Sequence, residues 1–186
     1  MAATAGRPKR ASQEMLQEAA FELFQHRGYR ATTVEQIART AGFSRATFFN
    51  CFASKAELFW LEVDALIASL RAHLEAQLAA EARPSLREAL LGFAATFESS
   101  HIPWALQNYR LLEAAEDLAA SGAGRVLELN RAFVRYLQET EELAAIELQA
   151  RAAAMTATLV SGLLGWIDAG VTRGPFGEHL GRALIH

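Results

Sequence analysis

Residues 32–55 read TTVEQIARTAGFSRATFFNCFASK, and this stretch decides the fold. Thr32-x-x-Glu35 has the form of a capping box, in which the hydroxyl and the carboxylate each satisfy a free backbone N–H at a helix start. Ile37, Ala38 and Ala41 give the helix it opens a small inner face. Gly42 then permits a tight turn, and the small Ala38 lets the next helix cross closely. Ser44 is placed to cap a third helix that runs through about Cys51. Ser54-x-x-Glu57 is a second capping box, opening a long helix to about Ala80. At 1.5 Å per residue that helix spans roughly 40 Å. A capped helix, a glycine turn and a short helix rich in Arg, Thr and Asn suit insertion of one helix into a DNA major groove.

On the short third helix, Arg45, Ala46, Thr47 and Asn50 form the outward face, with Phe48 and Phe52 turned inward. Arg bonds guanine bidentately, Asn bonds adenine, and a Thr methyl meets the thymine methyl. Ser44, Thr33 and Lys55 lie at helix N-termini, where free N–H groups and the helix dipole favour a phosphate. Arg7, Lys9 and Arg10 belong to a basic arm over residues 1–10 that can reach the minor groove or the backbone. The alternative is a three-helix packing unit whose polar residues cap helices and face water, used as a helical protein-interaction module. Salt dependence separates the two, because DNA binding releases counterions.

Working outward, the preceding helix starts near Ser12 and ends before Gly28, with Met15, Leu16, Ala19, Ala20, Leu23 and Phe24 on one face. Beyond Ala80 the breaks are Pro84, Pro103, Ser121-Gly122-Ala123-Gly124, Gly170 and Gly174-Pro175. They delimit helices at about 85–99, 103–120, 124–143, 147–170 and 176–185, the first opened by a capping box at Ser85-x-x-Glu88. No strand alternation persists, so the chain reads as all-α with about nine helices. A boundary near residue 56 divides a helix-turn-helix domain, 1–56, from a helical ligand-binding and dimerisation domain, 57–186. The long fourth helix joins them.

Charge divides along the same line. Residues 1–60 carry eight Lys and Arg against five Glu, and residues 61–186 carry ten Arg against sixteen Asp and Glu. A basic first third on an acidic remainder is the asymmetry expected if only the first third meets phosphate. Of 186 residues 52% are apolar and four are proline, which excludes a disordered chain. The one cysteine, Cys51, excludes an intrachain disulfide and suits a reducing cytoplasm. The start MAATAGRPKR is polar and basic and reads as no secretory signal. The longest uncharged run, Ala152 to Ile167, is sixteen residues with two Thr, one Ser and two Gly, which reads as a buried helix, not a membrane span.

The block AAFELFQHRGYRATTVEQIARTAGFSRATFFNCFASKAEL, within about Met15 to Leu58, resembles the TetR family of bacterial transcriptional regulators. The resemblance aligns without gaps and implies a homodimer, a palindromic operator, and an all-helical C-terminal domain that binds a small inducer. Repression is the family's usual mode. Phe49 stands where the family usually has Tyr in the recognition helix, so a hydroxyl that can bond phosphate is missing there. Cys51 stands where an aromatic residue or His is common.

In the C-terminal part, Leu148, Ala152, Met155, Leu159, Leu163 and Trp166 form one apolar stripe. Ala150, Ala154, Ala157, Ser161 and Gly165 form a neighbouring stripe of small residues that suits close approach of a partner helix across a two-fold axis. Phe97, Trp104, Tyr109, Phe133 and Trp166 are the candidate lining of a pocket for an apolar or aromatic small molecule. Ligand binding is then expected to shift the 103–120 helix and swing the N-terminal unit through the fourth helix. No nucleophile elbow, P-loop, dinucleotide glycine motif or HExxH pattern occurs, and the five His are dispersed. No enzymatic activity, metal or cofactor is expected.

Overall fold

The structure is a computed structural model. It describes residues 9–97, 102–108 and 115–184. Among these the chain is all-helical: α1 (Lys9–Arg27), α2 (Val34–Thr40), α3 (Arg45–Cys51), α4 (Leu61–Ala79), α5 (Leu86–Ala95), α6 (Trp104–Asn108), α7 (Ala115–Thr140), α8 (Ala145–Asp168) and α9 (Phe176–Ala183). Short 3-10 turns occupy Ala56–Phe59 and Gly170–Thr172. The chain divides into two compact units: a head of Met1–Val63 with Asn108–Ser121, and a body of Asp64–Gln107 with Gly122–His186.

In the head, α1, α2 and α3 pack on one another. Leu16, Ala20, Phe24, Ile37, Phe48, Leu58 and Phe59 are at most 1% exposed and form its core. Each such Leu, Ile or Phe contributes about 1.5–3 kcal/mol by leaving water. The rings of Phe24, Tyr29 and Phe59 meet at centroid distances of 5.2, 5.6 and 5.3 Å. Gln17 crosses this core and donates from Nε2 to the Leu58 carbonyl at 2.9 Å.

Four expected boundaries are corrected. The first helix does not start at Ser12: it already includes Lys9 and Arg10, and Ser12 is buried within it. Of the expected arm, residues 1–8 with Arg7 lie outside the described residues. The second helix is capped by Thr33, not Thr32: Gln36 N donates to Thr33 Oγ1 at 3.2 Å and Thr33 N donates to Gln36 Oε1 at 2.8 Å. Thr32 is buried instead, its hydroxyl donating to the Gly28 carbonyl at 2.8 Å. Ser54-x-x-Glu57 does not open a long α-helix. The 3-10 turn there has no side-chain cap and brings Ala56, Leu58 and Phe59 inward together. The helix that follows has 19 residues, so it is about 28 Å long. The Ser121–Gly124 segment is not a break, because α7 runs through it. Ser121 Oγ donates back to the Asp117 carbonyl at 2.6 Å and Gly122 is buried, so packing overrides a propensity penalty near 1 kcal/mol per glycine.

The body packs α9 against α5 and α8. At Gly177 a Cβ would lie 3.4 Å from the Ala95 backbone nitrogen, so a larger residue there would press on α5. Ser85 and Glu88 form the expected capping box of α5. Tyr136 donates to the Pro84 carbonyl at 2.8 Å, and Arg125 holds the Asp64 carboxylate through two bonds of 2.6 and 2.7 Å.

Candidate nucleic-acid interface

The turn between α2 and α3 is set by backbone chemistry. Gly42 sits at φ 76°, the left-handed region that glycine enters without strain. Phe43 N donates to the Ala38 carbonyl at 2.7 Å and Gly42 N to the Arg39 carbonyl at 3.1 Å. Those two bonds are the Schellman arrangement, which closes the orphan carbonyls of α2. Ser44 then caps α3: Thr47 N donates to Ser44 Oγ at 3.1 Å, and the two hydroxyls meet at 2.9 Å. A capping hydroxyl spends a lone pair on the backbone N–H it accepts from and still carries a proton to donate.

The seven-residue α3 has one buried and one open side. Phe48 is 0% exposed and Phe52 is 5% exposed, and their rings meet at 5.7 Å. Arg45, Ala46 and Asn50 are exposed, Thr47 is half-buried, and Phe49 is 44% exposed. The inward and outward assignment made from spacing is therefore the one found, except that Thr47 is only partly outward. Cys51 is half-buried, and its carbonyl accepts from Gln13 Nε2 at 3.3 Å.

Lys55 is held differently from a freely presented cation. Its ammonium donates to the Tyr29 and Thr32 carbonyls at 2.6 and 2.9 Å and lies 3.9 Å from the centre of the Tyr29 ring. Burial lowers its pKa, against the opposing pull of Asp117. Lys55 thus ties the C-terminal side of α3 to the turn before α2. Any phosphate it meets shares it with those carbonyls.

Several residues of the head were not singled out from sequence. Tyr29 donates to Asp117 Oδ2 at 2.7 Å; burial first, and then this carboxylate, push the phenol well above its ordinary range. Trp60 Nε1 donates to Ser121 Oγ at 2.8 Å. These partners lie 88 and 61 residues apart in the chain, and no local pattern signals them. Glu35, read only as a capping residue, instead pairs with Arg45 on the open side.

Of the five expected pocket residues, the structure brings Phe97 and Trp166 into ring contact at 5.9 Å. Phe176, not anticipated, joins both, at 5.7 and 5.1 Å. Trp166 also donates to the Gly174 carbonyl at 2.6 Å, and Phe133 is fully buried. The side chain of Trp104 and all of Tyr109 lie outside the described residues. A groove of about 250 Å³ lies elsewhere in the body, lined by Arg71, Leu74, Glu75, Leu78, Glu128, Arg131, Ala132, Arg135 and Tyr136. Arg71 and Glu128 pair within its lining at 2.6 Å, so a charged pair sits among walls that Leu74, Leu78, Ala132 and Tyr136 make largely apolar. Among the described residues no group of three His, Cys, Asp or Glu is arranged to hold a metal.

Comparison with known proteins points the same way as the geometry. Residues 16–60 match the bacterial regulatory proteins of the tetR family. The chain is 34% identical over 96 residues to a protein of Mycobacterium tuberculosis named as a mycofactocin biosynthesis transcriptional regulator, MftR, covering 51% of this chain and 48% of that one. It is 33% identical over 141 residues to the HTH-type transcriptional regulator TcmR of Streptomyces glaucescens, covering 73% and 62%. The chain thus spans less than two thirds of the length of either relative. The crystal structure of Thermus thermophilus FadR, a TetR-family transcriptional repressor in complex with lauroyl-CoA, superposes with a TM-score of 0.64 at 26% identity, over 92% of this chain and 91% of that one. A capped helix, a Schellman turn and a short helix backed by buried phenylalanines lie inside the matched stretch, and by that match residues 16–60 belong to the tetR family of bacterial regulatory proteins.

Proposed function

We propose that the protein is a DNA-binding transcriptional regulator, a cytoplasmic repressor that binds a palindromic operator as a homodimer and leaves it when a small molecule binds. The observation that carries this reading is the open side of α3, with Arg45, Ala46 and Asn50 exposed over a fully buried Phe48. A rigid backing of this kind is what base reading in a groove needs. The proposed DNA contacts are Thr33, Ser44, Arg45, Ala46, Thr47, Phe49, Asn50 and Lys55. They lie in a DNA-binding domain of residues 1–56, with residues 57–186 serving ligand binding and dimerisation.

The dimer reading is supported by α8. Ala150, Ala154, Ala157, Ser161 and Gly165 are all exposed in the single chain, and Ile146 and Leu164 beside them are 77% and 38% exposed. The helix is long and apolar enough to cross a bilayer by length and composition, and only 28% of its most apolar stretch is buried. A second copy laid along the small-residue stripe covers such a face without a membrane. For the ligand we favour an apolar or aromatic small molecule held near Phe97, Phe133 and Trp166. The lauroyl-CoA in the Thermus relative supports an apolar component. Such a ligand releases DNA only through a difference in its affinity for two states of the protein.

The test is selection of bound duplexes from a random pool at fixed salt. An enriched palindrome supports the reading, together with affinity that falls steeply as salt rises. Binding of protein partners with no enriched sequence would replace it with the interaction-module reading.

A further inference from the structure

The open side of α3 carries an acidic residue where phosphate repulsion argues against one. Glu35, in the first turn of α2, places Oε1 2.5 Å from Arg45 Nε, with 58% and 63% of the two side chains exposed. The Arg45 guanidinium carbon also lies 4.9 Å from the centre of the Phe49 ring. That ring stands edge-on to the buried Phe48 at 5.4 Å and 80°, so the platform is itself anchored. Arg45 is therefore restrained along one edge by a carboxylate and on one face by a ring.

We propose that Glu35 and Phe49 are positioning residues for base recognition, holding Arg45 so that its terminal N–H fork is offered to a guanine. The inference rests on the DNA-binding reading above. Arg has five N–H donors in a fixed planar fork. Spending the Nε–H on Glu35 leaves the two terminal nitrogens, whose spacing matches guanine O6 and N7. An unrestrained Arg surrenders substantial rotamer freedom on binding, and a pre-set one loses less. The helix dipole favours a carboxylate in the first turn of α2, so Glu35 is compatible with its own helix. A solvated pair of this kind is weak in the free protein, and it strengthens when DNA excludes water from it. Phe49 acquires a role here that requires no hydroxyl: its face serves Arg45 whether or not its edge meets a phosphate.

The experiment compares base preferences enriched from a random duplex pool by the wild type, Glu35→Gln, Phe49→Leu and Arg45→Ala, with thermal melting to verify that each is folded. All three positions are exposed, so folded variants are expected. Wild type should prefer guanine at one position of each half-site. Arg45→Ala should reduce that preference by roughly tenfold to hundredfold. Glu35→Gln and Phe49→Leu should each reduce it at the same position, by roughly threefold to tenfold, and leave the other positions unchanged. If Glu35→Gln keeps the wild-type base profile and binds every sequence more tightly, Glu35 only repels phosphate and the proposal is overturned. It is equally overturned if the guanine preference depends on Arg45 alone. Should the wild type enrich no motif at all, the DNA-binding reading itself fails, which is a separate result.

Discussion

The head and the body bury their apolar residues in different ways. The head closes on itself: Phe24, Tyr29 and Phe59 meet ring to ring, Gln17 bonds the Leu58 carbonyl across the core, and Lys55 closes on two backbone carbonyls. The body leaves a long helix open, with small residues of α8 facing solvent in the single chain. A surface that reads a rigid double helix needs a fixed backing. A surface of small residues gains its stability only when something flat is laid against it. The difference teaches that the head buries its apolar residues within one copy, whereas α8 of the body leaves an apolar face that the proposed second copy would cover.

The sharpest way to break this comparison is to place a charge on the open stripe. Ala157→Arg puts an unpartnered cation into the proposed interface twice by symmetry, at about 3–5 kcal/mol each. Sedimentation should show a monomer with helical content retained; an unchanged mass would mean that the small-residue stripe of α8 is not the interface between copies. Next in size, Phe48→Ala empties the centre of the head and should destabilise it by about 3–5 kcal/mol. If the units are independent, thermal melting of that variant separates into an early transition of the head and a later one of the body. A single shared transition would mean that the body depends on the head after all.

A smaller effect probes the distant segment built into the head. Asp117→Ala leaves the Tyr29 hydroxyl without its charged acceptor and should cost about 1.5–3 kcal/mol. The same pair responds to pH. The folded protein raises the Tyr29 pKa above the ordinary value of 10.0, so the neutral phenol is favoured by folding. Its contribution is complete below pH 10 and is lost as pH rises through the folded value. Tyr29 should give a tyrosinate absorbance change above the ordinary range, absent in Tyr29→Phe. Titration of Tyr29 in the ordinary range would dissolve this tie. Smallest of all, Phe49→Tyr keeps the ring beneath Arg45 and adds a hydroxyl that can meet phosphate. It should tighten operator binding by about 0.5–1.5 kcal/mol at fixed salt. Unchanged or weaker binding would count against a phosphate contact by the phenol.

Much of the head was legible because its signals are local. Gly42 stops α2 and Ser44 caps α3 through bonds within a few residues, and spacing alone turns Phe48 inward. The misreadings are equally physical. Thr32-x-x-Glu35 and Thr33-x-x-Gln36 both satisfy the capping pattern, and the choice falls to Thr33 because Thr32 is 1% exposed and bonded to the Gly28 carbonyl. Ser121-Gly122-Ala123-Gly124 looks like a break on propensity alone, yet α7 continues because Ser121 returns its hydroxyl to its own helix and Gly122 is buried. Within the candidate interface, the exposed residues of α3 were legible. The pairing of Arg45 with Glu35 was not, since it depends on where the Gly42 turn aims α3.

By itself the sequence determined an all-helical chain, the caps of α3 and α5, the glycine turn and the face that α3 leaves open, all of them set by hydrogen bonds and periodicities spanning a few residues. Tertiary structure alone decided that residues 115–121 belong with the head, that Lys55 is tied to Tyr29 and Thr32, and that Phe176 joins Phe97 and Trp166. Those contacts join side chains distant in the chain, and which of them form is settled by packing and the satisfaction of buried polar groups, neither of which a local pattern encodes.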